Sequence, residues 1–172
     1  KNFNSYTENS PSYNEKEDYE VFGSLLFKTS FPLKKINEYS QNYLKPIVAL
    51  RYSPNNTKNI SDNDVRLDYN NIFSLNRIGT NEIVEGGRSI SIGLEYEKRN
   101  MQEAKIFGLN IANSISDKKN DNLPTKSKLN ETRSDIVGNL FYSPNDILNF
   151  NYNFSYDKNL DGSNYDSIST AI

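Results

Sequence analysis

The chain of 172 residues contains no histidine and no cysteine. Histidine is the commonest general base and metal ligand near neutral pH, and the thiolate is a common nucleophile, so catalysis and metal binding lose their usual carriers. No disulfide can form, and the absence leaves the redox compartment undetermined. Long apolar runs are also missing. Nothing approaches the roughly 20 apolar residues of a membrane helix, and the opening KNFNSYTENSPSYNEKED has no apolar centre of the signal-peptide kind. A net charge of -2, with no Lys/Arg cluster interleaved with aromatics, gives no electrostatic reason for a nucleic-acid partner. Hydrophobic content of 35% and mean hydropathy of -0.78 are low for a compact core, whereas 12% aromatic content is high for a disordered chain. An extended but ordered structure is indicated. The chain begins at Lys1 and ends inside an alternating run, which reads as a piece of a longer protein.

What is present is alternation. In LNFNYNFSYD (148–157), Phe150, Tyr152, Phe154 and Tyr156 alternate with Asn149, Asn151, Asn153, Ser155 and Asp157. A period of two places successive side chains on opposite faces of a pleated strand, and Asn at every second position would compete with a helical backbone. Periodicity does not say which face is wet. In a soluble sheet the aromatics are buried, whereas in a membrane barrel they face lipid and the Asn row faces water. Similar runs occupy 19–31, 44–53, 85–99, 105–116 and 134–143, and a seventh begins near Asn164. The clearest set Ile90, Ile92, Leu94 and Tyr96 against Ser91, Gly93, Glu95 and Glu97, and Val48, Leu50 and Tyr52 against Ala49, Arg51 and Ser53. Phe107, Leu109 and Ile111 oppose Gly108, Asn110 and Ala112, whereas 134–143 leaves both assignments open.

Tight connections at 100–104 and 144–146 contrast with long polar ones at 54–84 and 117–133. Compact soluble domains rarely carry structureless loops beyond about 12–15 residues, whereas outer-membrane barrels alternate short turns with long loops. The connection 32–43 is long for its place in this alternation, and 65–75 is either a further strand or part of a structured loop. No fixed-period repeat supports a solenoid.

Motifs for chemistry are few. DKNLDG (157–162) fits half of a calcium loop, but Ile168 stands where a bidentate Glu is needed, and Asp161-Gly162 is a turn dipeptide. The turn reading is preferred. Asp62 and Asp64 belong to a solvated loop, and in EGGRS (85–89) the glycines fit a bend entering a strand better than a phosphate cradle. Neither an enzyme activity nor a cofactor is expected.

The ordered string LKPIVALRYSP, ISDND, YNNIFSLNRIGTNEIVEGGRSISIGLEYE, FGLNIANSIS and SDIVGNLFYSP resembles the C-terminal β-barrel domain of the LptD family of outer-membrane LPS-assembly proteins, in its alphaproteobacterial form, over about residues 19–157. That family carries a segment approximating Arg-x-x-Gly-x-Asp-Arg-x-Glu-Gly-Gly-x-Arg. Here Arg77, Gly79, Glu85, Gly86 and Gly87 match, Arg88 stands one place early, and Asn81-Glu82 replaces the Asp-Arg pair.

The resemblance implies an all-β fold: an antiparallel up-and-down transmembrane β-barrel segment of about six to seven strands at 19–172, preceded by a polar loop at 1–18. It implies a translocon inserting lipopolysaccharide into the outer leaflet of a Gram-negative outer membrane. The implied partners are lipopolysaccharide, an LptE-type plug lipoprotein, periplasmic LPS-bridge proteins and outer-membrane lipid. Ile90, Ile92, Leu94, Phe107, Leu109, Phe150, Tyr152 and Phe154 are then expected to face lipid, and Ser91, Glu95, Asn110, Asn149, Asn151 and Asn153 the lumen. Arg77, Glu85 and Arg88 are expected to anchor a loop to the wall. Two alternatives remain: another outer-membrane barrel, such as a porin or receptor, and a soluble glycan-binding β-sandwich with Phe150 and Phe154 in its core.

Overall fold

The computed structural model describes residues 2–5, 18–79, 83–145 and 147–171. Within the 1–18 segment read as a polar loop, residues 1 and 6–17 lie outside the described residues. Strand β1 (Asn2–Ser5) pairs antiparallel with β2 (Asp18–Val21). The main sheet comprises β3 (Leu25–Ser30), β4 (Leu33–Ile36), β5 (Gln41–Ser53), β6 (Gly87–Arg99), β7 (Lys105–Ser116), β8 (Ile136–Tyr142), β9 (Asn149–Tyr156) and β10 (Ser163–Ala171). Its order is β10-β9-β8-β7-β6-β5-β3, with β4 also on β5 and every pairing antiparallel. This all-β meander does not close on itself among the described residues, as befits a partial barrel segment.

β3 and β4 act as one interrupted strand. Leu25 faces Tyr52 and Leu33 faces Leu44, so the register does not slip across the gap. The break falls at Phe31-Pro32, opposite Pro46. Phe31 N–H reaches the Pro46 carbonyl at 3.1 Å, but Pro46 has no N–H to return on that edge. The connection that looked too long at 32–43 is therefore mostly strand, and the turn itself occupies only 37–40, closed by Asn37 N–H on the Ser40 carbonyl at 2.8 Å.

The other short turns rest on polar side chains. Asn100 Oδ1 accepts Ala104 N–H at 2.9 Å, and Asn145 Oδ1 accepts Leu148 N–H at 2.8 Å. At 157–162, Asp157 Oδ1 accepts Asn159 N–H at 2.8 Å and the Asp157 carbonyl accepts Leu160 N–H, which is turn chemistry. The connections 37–40, 100–104 and 143–148 share one end of the sheet. The long connections, which run on to Gly86 and Asp135, share the other.

Register resolves the run left open at 134–143. Val137, Asn139 and Phe141 pair with Ala112, Asn110 and Gly108, whereas Gly138, Leu140 and Tyr142 pair with Ile111, Leu109 and Phe107. Gly138 has a steric reason: a Cβ there would stand 2.5 Å from the Phe154 ring and 2.3 Å from the Asn110 carbonyl oxygen. The aromatic ring on β9 fills the place of the missing side chain on β8.

No strand forms in 65–75. Asp68 Oδ1 accepts the N–H groups of Asn70 and Asn71 at 2.8 and 2.9 Å, an Asx arrangement that turns the chain back over the sheet. The long loops thus fold onto one face, and their apolar residues make the core there: Ile60, Leu67, Ile72, Phe73 and Ile78 from the first loop and Leu123 and Leu129 from the second join Ile47, Ala49, Ala112 and Val137 of the sheet. Phe73 sits over Gly93, where an added Cβ would be 2.5 Å from its ring.

Candidate functional site

The sheet has a face covered by its own loops and a face left bare. On the covered face, Glu85 at the end of the first loop is the centre of a buried ionic cluster. Arg77 grips its carboxylate with two groups, Nε to Oε2 at 2.9 Å and Nη2 to Oε1. Arg51 of β5 approaches Oε1 with Nη2 at 2.7 Å and donates Nη1–H to the Glu85 carbonyl at 2.6 Å. Arg77 Nη1 continues to Ser114 Oγ of β7 at 2.5 Å, and Ser114 meets Ser91 Oγ of β6 at 3.2 Å. Ser91 in turn donates to the Ile72 carbonyl at 3.1 Å, back in the loop.

The three charged side chains are 4%, 1% and 3% exposed for Arg51, Arg77 and Glu85. Both Glu85 oxygens are engaged by guanidinium, in the fork geometry that suits arginine and carboxylate. The cluster thus has the character of a lock between loop and wall, and it leaves no carboxylate oxygen free for proton transfer. Glycines let the backbone reach it. A Cβ on Gly86 would lie 1.9 Å from the Asn55 carbonyl oxygen, and Gly87 has φ +95°.

Of the six motif residues, Arg77 and Glu85 come together, and Gly86 and Gly87 shape the entry to β6. Gly79 takes φ +78° in the loop. Arg88 does not join: it is exposed on the bare face, its guanidinium 5.6 Å from the Tyr52 ring centre. Asn81 and Glu82 lie outside the described residues.

Farther along the covered face the surface is polar. Glu95 pairs with Lys45 at 2.5 Å and accepts the Tyr69 hydroxyl from the loop at 2.9 Å. Burial first, and then this carboxylate, push the Tyr69 phenol above its usual pKa. Asn110 Nδ2 donates to Asn139 Oδ1 at 2.8 Å, and Asn153 lies opposite Asn139 in register. Asn151 faces Phe141 and Ser169, and Asn149 faces Ala171. Ser91, Glu95, Asn110, Asn149, Asn151 and Asn153 accordingly share one face of the sheet.

Ile90, Ile92, Leu94, Phe107, Leu109, Phe150, Tyr152 and Phe154 share the other. Ile92 pairs with Val48, Leu94 with Ile111, Phe107 with Tyr142, and Leu109 with Leu140 and Tyr96. Aromatic contacts knit this face: Tyr96–Phe107 at 6.0 Å between ring centres, Tyr142–Phe150 at 6.4 Å and Tyr152–Phe154 at 5.6 Å. Neither Phe150 nor Phe154 belongs to the buried cluster, which lies on the opposite side. Charged residues on this face of β6 stand only at its ends, Arg88 and Lys98.

Salt bridges fasten the second loop as well. Lys126 binds Asp64 of the first loop, and Lys128 binds Asp157 of the β9–β10 turn. These hydrogen-bonded lysines hold both carboxyl groups below their ordinary pKa. Among the described residues no group of His, Cys, Asp and Glu side chains is arranged to hold a metal ion, and no helix is long and apolar enough to cross a membrane.

Arg51 and Ser114 were missed as members of the cluster. Arg51 carried a local signal, being a charge at a strand position between apolar neighbours, but its partner lies 34 residues away in the chain. The loop core had a signal too, in the apolar Leu67, Ile72 and Phe73 inside an otherwise polar connection.

A sequence model for the family described as LptD, LPS transport system D, matches residues 5–172. No curated protein matches the chain.

Proposed function

The chain belongs to the LptD family, an outer-membrane component of LPS transport in Gram-negative bacteria, and from that premise we propose that it forms a section of the family's C-terminal barrel wall, in its alphaproteobacterial form. The bare face meets membrane lipid, and the covered face lines the lumen through which the saccharide part of LPS passes. The first long loop is folded into that lumen and held by the Arg51–Glu85–Arg77 cluster. An LptE-type lipoprotein and periplasmic LPS-bridge proteins are the partners this reading requires. The family is one of transport components, so the work of these residues is to shape a path and not to make or break bonds.

The observation that carries the reading is the spacing of charge on the bare face of β6. Arg88 and Lys98 stand ten residues apart, with only Ile90, Ile92, Leu94 and Tyr96 facing the same way between them. At about 3.4 Å per residue and a tilt of about 40°, that span covers about 26 Å of height, close to the apolar band of about 25 Å on outer-membrane barrels. Strands β5, β6 and β7, with 13, 13 and 12 residues, exceed the roughly 9–11 that a crossing needs.

The test is a pair of arginine substitutions in the full-length protein. Phe154 and Asn153 are neighbours away from the ends of β9, one on each face; Phe150, near the short-turn end, is a less sensitive probe because the cost of charge depends on depth. Phe154→Arg is expected to destabilise by about 2–4 kcal/mol and Asn153→Arg by under about 1 kcal/mol. Heat-modifiable migration of the protein from the outer-membrane fraction, followed through a urea series, reads both. Equal effects of the two substitutions would remove the assignment of faces.

A further inference from the structure

The second loop, 117–133, runs along the first and touches it repeatedly. Asn120 Nδ2–H donates to Thr57 Oγ1 at 2.9 Å, and Asn122 makes the next two contacts: its Nδ2–H donates to the Thr57 carbonyl at 3.0 Å, and its carbonyl accepts Ile60 N–H at 2.9 Å. Lys126 binds Asp64, and Ser127 Oγ–H donates to the Leu67 carbonyl at 3.0 Å. Contacts thus recur at 57, 60, 64 and 67, and Leu123 and Leu129 are buried in the same core as Ile60 and Leu67. Thr57 also ties them to the ionic cluster, because its hydroxyl accepts the N–H of Gly86, the neighbour of Glu85, at 2.9 Å.

The same loop is pinned to the wall at both ends of this series. Asp117 N–H reaches the Arg88 carbonyl of β6 at 3.1 Å, Asp135 N–H at the entry to β8 reaches the Ser127 carbonyl at 3.0 Å, and Lys128 binds Asp157 in the β9–β10 turn. Ser127 and Lys128 are consecutive residues with φ +53° and +50°, a left-handed conformation that is costly for any residue with a Cβ. Such a turn persists only while its surroundings hold it, and here the holding groups are the pins on Ser127 and Lys128. When they part the turn relaxes, so the segment has a fastened state and a loose one. We propose that 117–133 is a strap, and that the first loop leaves the lumen only after the Lys128–Asp157 end of the strap has let go. This role rests on the reading of the covered face as luminal, and it makes opening of the path an ordered event. The Glu85 cluster alone gives no such order, since its charged groups belong to the first loop and β5.

The experiment closes the strap covalently without altering its contacts to the first loop. Lys128→Cys and Asp157→Cys are introduced into the full-length protein together with Glu85→Gln, which loosens the first loop, and are joined by a short bis-maleimide linker. Mass spectrometry identifies the junction. Trypsin cleavage at Lys58 is compared with that of the same protein capped by a mono-maleimide, with cuts within β5 to β7 as the internal reference. Joining is expected to lower cleavage at Lys58 by about 5- to 150-fold, the usual range for coupling between two sites. A fall smaller than about fivefold overturns the strap, because loops that open independently do not sense a link between the second loop and the wall. A second variant keeps Glu85 and removes the strap's amides. Asn120→Ala with Asn122→Ala is expected to raise cleavage at Lys58 together with cleavage at Lys118 and Lys119, and a rise confined to the second loop overturns the proposal. Heat-modifiable migration of the same samples separates the two failures. A folded outer-membrane protein whose first loop ignores the link loses only the strap, whereas a protein absent from the outer-membrane fraction loses the wall assignment on which the strap's role rests.

Discussion

Removing the charge of Glu85 tests the lock between loop and wall most directly. In Glu85→Gln the amide keeps the shape of the carboxylate, but Arg51 and Arg77, both nearly inaccessible, face each other with no anion between them. Breaking a buried ion pair by neutralising one partner costs about 3–5 kcal/mol, because the remaining charge has already lost its water. The loop also buries Ile60, Leu67, Ile72, Phe73 and Ile78, each of which contributes about 1.5–3 kcal/mol, so it stays docked in most molecules. Its open population nevertheless rises by about two to three and a half orders of magnitude, and cleavage rises in proportion when reclosing is fast. The assay is limited trypsin digestion of the full-length protein, with cuts at Lys58 and Arg66 quantified by mass spectrometry and cuts within β5 to β7 as the internal reference. Joint replacement Arg51→Met, Arg77→Met and Glu85→Leu is expected to restore most of the protection, since an apolar trio carries no stranded charge. A cleavage rate for Glu85→Gln within about threefold of wild type would refute the reasoning, and failure of the trio to recover would show that the carboxylate holds the loop by some means other than pairing these arginines.

Gly86→Ala is expected to raise cleavage of the same loop, because its Cβ would meet the Asn55 carbonyl oxygen, a backbone atom that yields only if the strand entry shifts; the overpacking cost is about 1–3 kcal/mol. Asp135 separates charge from hydrogen bonding. Its Oδ2 accepts Ser155 Oγ–H at 3.0 Å and Asn164 Nδ2–H at 2.8 Å while Oδ1 has no partner, so Asp135→Asn is expected to change the unfolding midpoint little and Asp135→Ala to cost about 1–3 kcal/mol by stranding the buried Ser155 hydroxyl, the exposed Asn164 amide turning to water. For pH, folded Asp64 and Asp157 have lowered pKa values; their ties to Lys126 and Lys128 are fully present above the ordinary carboxylate pKa of about 4 and are lost as pH falls through the lowered values. Trypsin is inactive there, so pepsin cleavage of 117–133 is the readout, and Asp64→Asn with Asp157→Asn should show the acid-state rate, relative to cuts within β5 to β7, already at pH 5. A protected second loop in that double variant would contradict the assignment.

Alternation in the sequence assigned the two faces of β5, β6, β7 and β9, because side chains alternate with a period of two whatever surrounds them, and left those of β8 to register. That is why Ile90, Ile92 and Leu94 lie with Phe107 and Leu109, why the aromatics of β9 oppose its Asn row, and why the turns at 100–104 and 157–162 were legible from Asn, Asp and Gly. The motif also brought Arg77 and Glu85 forward as a unit. Tertiary structure alone decided which face the loops cover. The apolar residues of 54–86 have no period to announce where they pack, and Leu67, Ile72 and Phe73 read equally as a strand until Asp68 is seen to turn the chain back. Register across the sheet placed Arg51 and Ser114 beside Arg77, over separations of 34 and 37 residues for the bonds that tie them to the loop. It also left Arg88, one position from the family pattern, on the opposite face. Pairing with β5 showed that β3 and β4 are one strand broken at Pro32, a continuity that depends on a partner and so has no local signature. Local chemistry sets the direction of each side chain, whereas its environment is set by whichever distant segment folds over it.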